Sequence, residues 1–182
     1  MARVPYPSRD QLDSEAQDLY DRLSEQTGKV MNGYRALLNS PTLAIRWSVM
    51  GRYVRFESPL IGSVEEIVCL TVSRELDGQY MWSRHEPEAR HYGVSDQTIE
   101  TLRSGKEPHG LKPSEEAIIR FAQEMLRNHR VGDETFNSVR ELLGTQGCVE
   151  LAAMVGFMAA FSLLESALDV ELEPEFTPTL PV

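Results

Sequence analysis

Residues 79–94 read QYMWSRHEPEARHYGV and hold two histidines, two arginines, two glutamates, one tryptophan and two tyrosines around a single proline. The segment follows Asp77-Gly78 and stops at Gly93, and both are signals that punctuate helices. We expect one helix here, unless Pro87 begins a new helix at its own first turn. This helix is either the wall of a reactive site or a surface that carries many polar groups.

The rest of the chain also has helical spacing, and strand-like alternation bounded by turn signals is missing. Ser63, followed three residues later by Glu66, has the pattern of a capping box at the head of an apolar run, 67–72. The sequence therefore predicts an all-α protein of about eight helices. Further helices, placed by apolar spacing, caps and glycine stops, are expected at about 8–28, 34–38, 40–58, 95–105, 114–126, 132–143 and 146–168.

A single domain is expected to span residues 1–182, because this length and a hydrophobic content of 41% suffice for one core. The helical core is placed at 9–170. The last segment, ELEPEFTPTLPV at 171–182, contains three prolines and is predicted to be an extended tail on the surface or on a neighbouring subunit.

Net charge argues against nucleic acid as the partner. The chain has 28 acidic and 18 basic side chains, a net charge of −10, and its basic residues are scattered. The nearest approach to a cluster is Arg46, Arg52 and Arg55, which one helix can carry on an ordinary solvated face.

The cysteines and the apolar runs favour a cytoplasmic protein that does not insert into a membrane. Cys69 and Cys148 lie far apart in apolar runs, as buried reduced thiols do. The first thirty residues lack the apolar core of a secretory signal. The longest uncharged run, 151–164, has fourteen residues, which is too short to cross a bilayer and suits a buried helix.

The helix at 146–168 bears on assembly, because it is apolar nearly all round. Such a helix must be covered on every side, which a domain of this size achieves most easily with another subunit. A homo-oligomer is therefore expected, the alternative being a central helix that its own domain buries. Small residues that allow close helix approach are Ala152, Ala153, Gly156, Ala159 and Ala160.

Three features of the sequence together resemble one family. Glu66 opens an apolar helix, Tyr80-Met81-Trp82 opens the next, and His85 stands nineteen residues after Glu66. This order is similar to that of the carboxymuconolactone decarboxylase family, which includes the AhpD-like alkylhydroperoxidases. The segment RALLNSPTLAIRWSVMGRYVRF at 35–56 resembles the upstream helix of the family, and the resemblance extends over 9–172. It implies an AhpD-like helical bundle that assembles as a trimer or a multiple of one.

The sequence departs from the peroxidase branch of that family, which carries Cys-x-x-Cys on the second helix. The corresponding positions are Gly78 and Met81, and neither can form a thiolate, so dithiol reduction of peroxides is not expected. Cys69 lies on the preceding helix and Cys148 is remote in sequence. Residual redox activity through Cys69 is a weaker third possibility.

An acid and a base remain as candidates for catalysis. His85 titrates near neutrality, and Glu66 can hold its imidazole in one tautomer or act as the base itself. A structural alternative exists for each: Glu66 as the capping-box acid and His85 as a core histidine. If the two helices turn back at residues 77–78, the axial offset between the pair is about 6 Å, so a direct hydrogen bond is not guaranteed. Pro87, if it lies inside the helix, should kink this turn.

Four neighbours of His85 are candidates for binding the substrate. Arg84, or alternatively Arg74, can pair with a substrate carboxylate through two parallel donors. Tyr80 can donate to a developing oxyanion. Trp82 and Met81 supply an apolar wall, although tryptophan at such a position is most often core and arginine most often faces solvent.

Neither a metal nor another cofactor is expected. His85 is followed by Ala89 where a His-Glu-x-x-His zinc motif has its second histidine. His91 is six residues from His85 and so points away from the same helix face.

The decarboxylase branch of the resembled family then implies a function. In that branch a cofactor-free lyase acts on a carboxylated lactone. The leading hypothesis is a cofactor-free lyase or isomerase that uses Glu66 and His85 on a small oxygenated carboxylic acid or lactone. The alternative is a non-catalytic ligand-binding or assembly protein that kept the fold after losing its thiols.

Overall fold

The computed structural model describes residues 1–181, and every side chain within them except that of Thr27. It confirms the all-α prediction, since the described residues form eight α-helices, one short 3₁₀ turn at Arg9–Gln11 and no strand. The helices are α1 (Ser14–Thr27), α2 (Asn32–Leu37), α3 (Pro41–Phe56), α4 (Ser63–Glu75), α5 (Gln79–His91), α6 (Asp96–Arg103), α7 (Pro113–Asn128) and α8 (Asp133–Ala167).

Several predicted helix ends are correct, and the predicted start of α1 is wrong. Gly28 ends α1 in the left-handed conformation, and Ser95 caps α6 by accepting a hydrogen bond from the backbone N–H of Thr98. Asp13 rather than Ser8 caps α1, because the residues after Ser8 form the 3₁₀ turn.

The capping box predicted at the start of α4 is not formed. Gly62 precedes the helix, and the carboxylate of Glu66 is directed to other side chains instead of the backbone. Pro87 lies inside α5, so it does not begin a new helix.

The break predicted between the last two helices is a kink within α8. Gly144 has φ 72° and ψ 179°, values that favour glycine and do not belong to a helix. Asp133–Ala167 therefore consists of two helical segments that meet at Gly144, as the sequence predicted, and α8 denotes both.

Helix α4 is the centre of the molecule and packs against α5, α7 and α8. Every residue from Glu65 to Ser73 is buried. Leu151 and Met154 of α8 and Trp82 of α5 join the same core. A smaller cluster, built on Leu19 of α1, fills the space between α1, α2 and α3. Phe161 of α8 packs against both clusters, and a cavity lies where they adjoin.

Helix α8 is buried on one side and exposed on the other. It is long and apolar enough to cross a membrane by length and composition alone, a test that the core helix of a soluble protein also passes. Its exposed apolar side chains include Val149 and Leu163. The described part of the chain therefore covers only one face of this helix.

The described part of the C-terminal tail, 171–181, has no helix or strand and lies along α5. The Thr179 hydroxyl bonds to Glu86 and accepts from the indole of Trp82, and Leu180 is buried with the main core. The tail therefore belongs to the body of the domain, while its last position, 182, lies outside the described residues.

Candidate active site

Glu66 of α4 and His85 of α5 are in direct contact. The Nδ1 atom of His85 lies 2.8 Å from Oε2 of Glu66, so no bridging water is needed. The Glu66 side chain is fully buried, and 15% of the His85 side chain remains exposed. The two helices therefore bring the predicted carboxylate and imidazole together, and only the imidazole reaches open space.

A third helix holds the carboxylate from the other side. Nη1 of Arg55 in α3 lies 2.8 Å from Oε1 of Glu65 and 2.9 Å from Oε1 of Glu66. Arg55 is therefore not on an ordinary solvated face, contrary to the sequence prediction. The helical spacing of α3 did not reveal this role, because the partners lie on another helix.

The protonation of the pair follows from burial and neighbours. Burial raises the pKa of Glu66, but His85 and Arg55 outweigh it, so that its net pKa lies below the usual value. Burial lowers the pKa of His85 and Glu66 raises it; with the further lowering by Arg55 and Arg84, the net pKa lies below the usual value. At neutral pH the site holds a carboxylate and a neutral imidazole.

This assignment fixes the tautomer. Nδ1 carries the proton and donates it to Glu66, which leaves Nε2 with a free lone pair. No group among the described residues hydrogen-bonds to Nε2. His85 can therefore accept a proton at Nε2.

Glu65 differs from Glu66 in its pKa. Burial raises the pKa of Glu65 to about 7 in spite of its contact with Arg55.

A cavity of about 390 Å³ opens beside His85, a size typical of small-molecule sites. Helices α1, α2, α3, α5 and α8 and the tail line it. Of the predicted substrate-binding residues, Tyr80, Met81 and Arg84 line it and Trp82 does not. Other lining residues, which single-sequence reasoning missed, are Tyr34, Gly51, Arg55, Phe157, Phe161, Glu165 and Phe176.

Trp82 departs from its predicted role, because it lies in the core. Its indole N–H is shared between Oε2 of Glu86 at 2.9 Å and Oγ1 of Thr179 at 3.2 Å. It therefore anchors the tail to α5. Arg74, the alternative partner for a substrate carboxylate, pairs with Asp77 and is not among the cavity residues.

Tyr80 presents its ring to the cavity, but its hydroxyl is already used. The hydroxyl donates to Oε1 of Glu173 at 2.8 Å and accepts from the backbone N–H of Gly33 at 3.1 Å. Tyr34 suits the role of oxyanion donor better, since its hydroxyl has no hydrogen-bond partner in the described chain. Burial raises the pKa of Tyr34 to about 12, which keeps this phenol protonated at neutral pH.

Two ionisable side chains of the cavity lack a direct partner. Arg84 makes no ion pair with any described residue, and its Nε is buried without a hydrogen bond. Oε2 of Glu165, on α8, is also buried without a partner, and burial raises the pKa of this carboxyl to about 8. Both stand where a bound molecule can satisfy them.

The environments of Gly78 and Cys69 do not favour a reactive thiol. A Cβ atom added at Gly78 would lie 2.2 Å from Oγ of Ser162, so a cysteine there requires Ser162 to move. Cys69 is fully buried, and burial together with the charges of Glu66 and Glu65 raises the pKa of its thiol well above the usual value. A thiol of this kind is a poor nucleophile.

Glu66, Cys69 and His85 each offer one ligand atom within 4.8 Å of the others, so a metal site has to be considered. The donor set fits a cation poorly, because the thiol resists ionisation and Arg55 already balances the charge of Glu66. The arrangement suits proton transfer better.

No protein-family model matches the chain. No curated protein matches it either. Several solved structures, however, are similar to this chain. An AhpD-core, peroxidase-related protein from Ralstonia eutropha JMP134 superposes with a TM-score of 0.83 at 17% identity, over 96% of this chain and 93% of that one. A peroxidase-related protein from Silicibacter sp. TM1040 gives a TM-score of 0.81 at 19% identity, over 99% and 96% of the two chains.

The debrominase Bmp8 has a similar structure as well. A cysteine-to-alanine variant of Bmp8, in complex with 2,3,4-tribromopyrrole, superposes with a TM-score of 0.74 at 15% identity, over 94% of this chain and 91% of that one. At these identities the likeness establishes architecture and not activity. The chain has the helical fold of AhpD-like proteins.

Proposed function

We propose that this protein is a cofactor-free enzyme that uses His85 and Glu66 for acid–base chemistry on a small oxygenated carboxylic acid or lactone. The observation that carries the proposal is the direct contact of a buried carboxylate with the far side of an imidazole that opens into a cavity. A decarboxylation, or a related lyase or isomerase step, needs a group of this kind.

In an isomerisation, Nε2 takes a proton from a carbon next to a carbonyl, and the C–H electrons move into an enolate. Glu66 stabilises the imidazolium, which then returns the proton at another carbon. In a decarboxylation, the electrons of the breaking C–C bond form the enolate as carbon dioxide leaves. An imidazolium that has taken a proton from the substrate or from water then protonates the carbon.

The enolate oxygen needs a donor, and Tyr34 is our candidate for it. Its unpartnered hydroxyl stands among the apolar rings of Phe157 and Phe161, where a hydrogen bond to developing negative charge is strong. Met81 adds an apolar wall beside His85. This wall suits the carbon skeleton of a small acid or lactone.

The test is a panel of carboxylated lactones and enolisable acids, followed by carbon dioxide release and by exchange of carbon-bound hydrogen in D₂O. His85→Ala and Glu66→Gln should each lower kcat by about a hundredfold or more on any substrate that is turned over. Glu88→Gln, an exposed carboxyl on the cavity wall, is the control and should retain the rate. Normal rates in both of the first two variants would refute the assignment.

The second candidate is a non-catalytic ligand-binding protein. Met81 and Gly78 at the two thiol positions favour it, since the chemistry that those positions support in the resembled peroxidase branch is absent. Binding of small acids without turnover or hydrogen exchange would select this candidate over the enzyme.

We also propose a homo-oligomer, a trimer or a multiple of it, in the cytoplasm. Large apolar side chains exposed on α3 and α8 support it, because a second subunit would remove them from water. They are Val49, Phe56, Val149 and Leu163. Light scattering on the purified protein tests the assembly, and a stable monomer in which Val149→Glu changes nothing would refute it.

A further inference from the structure

The end of the cavity at Arg84 and Glu165 contains two polar side chains that the acid–base pair does not use. Buried polar groups are normally satisfied, and each exception calls for a reason. Arg84 is a charged hydrogen-bond donor whose Nε is buried without a partner, and Glu165 is a carboxyl that is 5% exposed. Their position in the same cavity as His85 suggests a common occupant.

We propose that Arg84 and Glu165 form a binding subsite for a monoanionic carboxylate, in which Arg84 supplies the charge and the protonated Glu165 donates a hydrogen bond. The inference rests on the proposed function, because it names the group by which the substrate would be held. It assigns Glu165 a role in recognition, whereas His85 performs the chemistry.

The surroundings of Arg84 place its guanidinium without consuming its donors. Its Cζ lies 5.9 Å from the ring centre of Tyr80 and 5.8 Å from that of Phe176 in the tail. Aromatic faces stabilise a cation but accept no conventional hydrogen bond from it. The guanidinium therefore keeps its fork of donors for a planar anion, and a carboxylate matches that fork.

The charges around Glu165 explain its protonation and limit the ligand. Burial raises its pKa most; Arg84 lowers it, and the carboxyl of Glu173 raises it further. Oε1 of Glu173 accepts hydrogen bonds from Tyr80 and from the backbone N–H of Asn32, which fixes this side chain, while its Oε2 is buried without a partner. Two carboxyl groups near one arginine disfavour a dianion such as phosphate. The remaining titratable groups that interact with Glu165 are Tyr34 on α2, Cys69 on α4 and Tyr80 on α5.

The affinity of this subsite for a carboxylate should depend on pH. While Glu165 is protonated, it donates to the ligand and Arg84 remains free to bind it. Once Glu165 ionises, at a pH of about 8, it repels the ligand and competes for the charge of Arg84. Affinity should then fall by about tenfold for each further pH unit, because only the protonated fraction binds.

The experiment is calorimetric titration of the full chain with benzoate between about pH 6 and about pH 9.5, with benzamide as the uncharged analogue. Wild type should bind benzoate at the lower pH and lose affinity for it above about pH 8. At the lower pH it should bind benzamide at least about tenfold more weakly than benzoate. Glu165→Gln keeps a neutral donor of the same shape, so it should retain binding and lose the dependence on pH. Arg84→Gln should weaken binding by about tenfold or more at every pH.

Two variants separate Glu165 from other carboxyls. Glu65→Gln removes the buried group whose pKa is about 7, and Glu15→Gln removes an exposed carboxyl on α1 that does not line the cavity. Both should retain the benzoate profile of wild type. A profile that is flat in wild type, or unchanged in Glu165→Gln, would overturn the proposal.

A spectroscopic measurement avoids dependence on a variant that fails to fold. Infrared difference spectra of the wild type between about pH 7 and about pH 9 should show loss of a protonated carboxyl band, and benzoate should preserve that band to higher pH. A band that benzoate does not shift would also overturn the subsite. If wild type binds benzoate with this pH dependence but shows no turnover and no hydrogen exchange on the substrate panel, the enzyme is refuted and the subsite stands.

Discussion

The Nδ1 atom of His85 and the Oε2 atom of Glu66 lie 2.8 Å apart, although nineteen residues separate them in the chain. The second oxygen of the same carboxylate is held by Arg55 at 2.9 Å. Glu66 is therefore fixed from two sides, and the imidazole presents its other nitrogen to the cavity. This relationship determines which nitrogen of His85 carries the proton.

The tautomer of His85 can be measured directly. Long-range ¹H–¹⁵N NMR of labelled imidazoles should show His85 neutral at pH 7, with the proton on Nδ1 and a midpoint below its usual value of 6.5. Glu66→Gln should lower the midpoint further, because the carboxylate raises the pKa of His85. The signal that disappears in His85→Ala is identified as that of the His85 imidazole. A charged ring at pH 7, or a proton on Nε2, would contradict the proposed base.

Glu165 should make the fold less stable as pH rises. Its pKa is about 8 in the folded protein against 4.5 in the unfolded reference, so the folded state binds the proton more tightly. The free energy of unfolding should therefore fall as pH increases from 4.5 to about 8 and then level off. The loss is at most about 5 kcal/mol.

Urea unfolding of wild type and Glu165→Gln at about pH 5 and about pH 8 checks this dependence. The Gln variant should gain stability relative to wild type at the higher pH, and Glu88→Gln should not. Equal slopes against pH for wild type and Glu165→Gln would show that Glu165 ionises alike in both states.

The thiols of Cys69 and Cys148 should be unreactive in the folded protein. Cys69 is fully buried with a raised pKa, and Cys148 is also buried. A disulfide reagent should therefore label neither cysteine rapidly in native protein and both after unfolding. Fast native labelling that Cys69→Ser abolishes would restore a redox role for Cys69.

The contact between Gly78 and Ser162 should oppose any larger residue at the first motif position. Gly78→Ala places a methyl group 2.2 Å from Oγ of Ser162 and should destabilise the fold. The expected cost is about 1–3 kcal/mol. Ser162→Ala removes that oxygen, which has no partner in the described chain, so it should be nearly neutral alone and should rescue Gly78→Ala.

Gly156→Ala is the matched control for that cycle. Its added methyl group meets only Cε of Met125 at 3.8 Å, an ordinary contact. It should leave stability unchanged or raise it by about 0.5–1 kcal/mol, as alanine does inside a helix. Additive losses in the double variant of Gly78 and Ser162, measured by urea unfolding, would contradict the proposed clash.

Local patterns were sufficient for most of the architecture. Apolar spacing, Gly28 and Ser95 place helix boundaries through short-range backbone effects, and the structure agrees with them. The same logic failed at Ser63. The Ser63–Glu66 spacing has the form of a capping box, but long-range partners bind Glu66 more strongly than the adjacent backbone does.

The sequence by itself determined the helical class, the pairing of Glu66 with His85 as candidates and the absence of a dithiol at Gly78 and Met81. Each of these depends on residue type and on spacing along one or two successive helices. Only the tertiary structure decided which polar groups meet across distant helices and the tail. It directed Arg55 to the carboxylate, moved Trp82 out of the cavity and placed Glu165 within it. The physical reason is that burial and the charge of neighbours set the chemistry of a side chain, and both are properties of the packed fold.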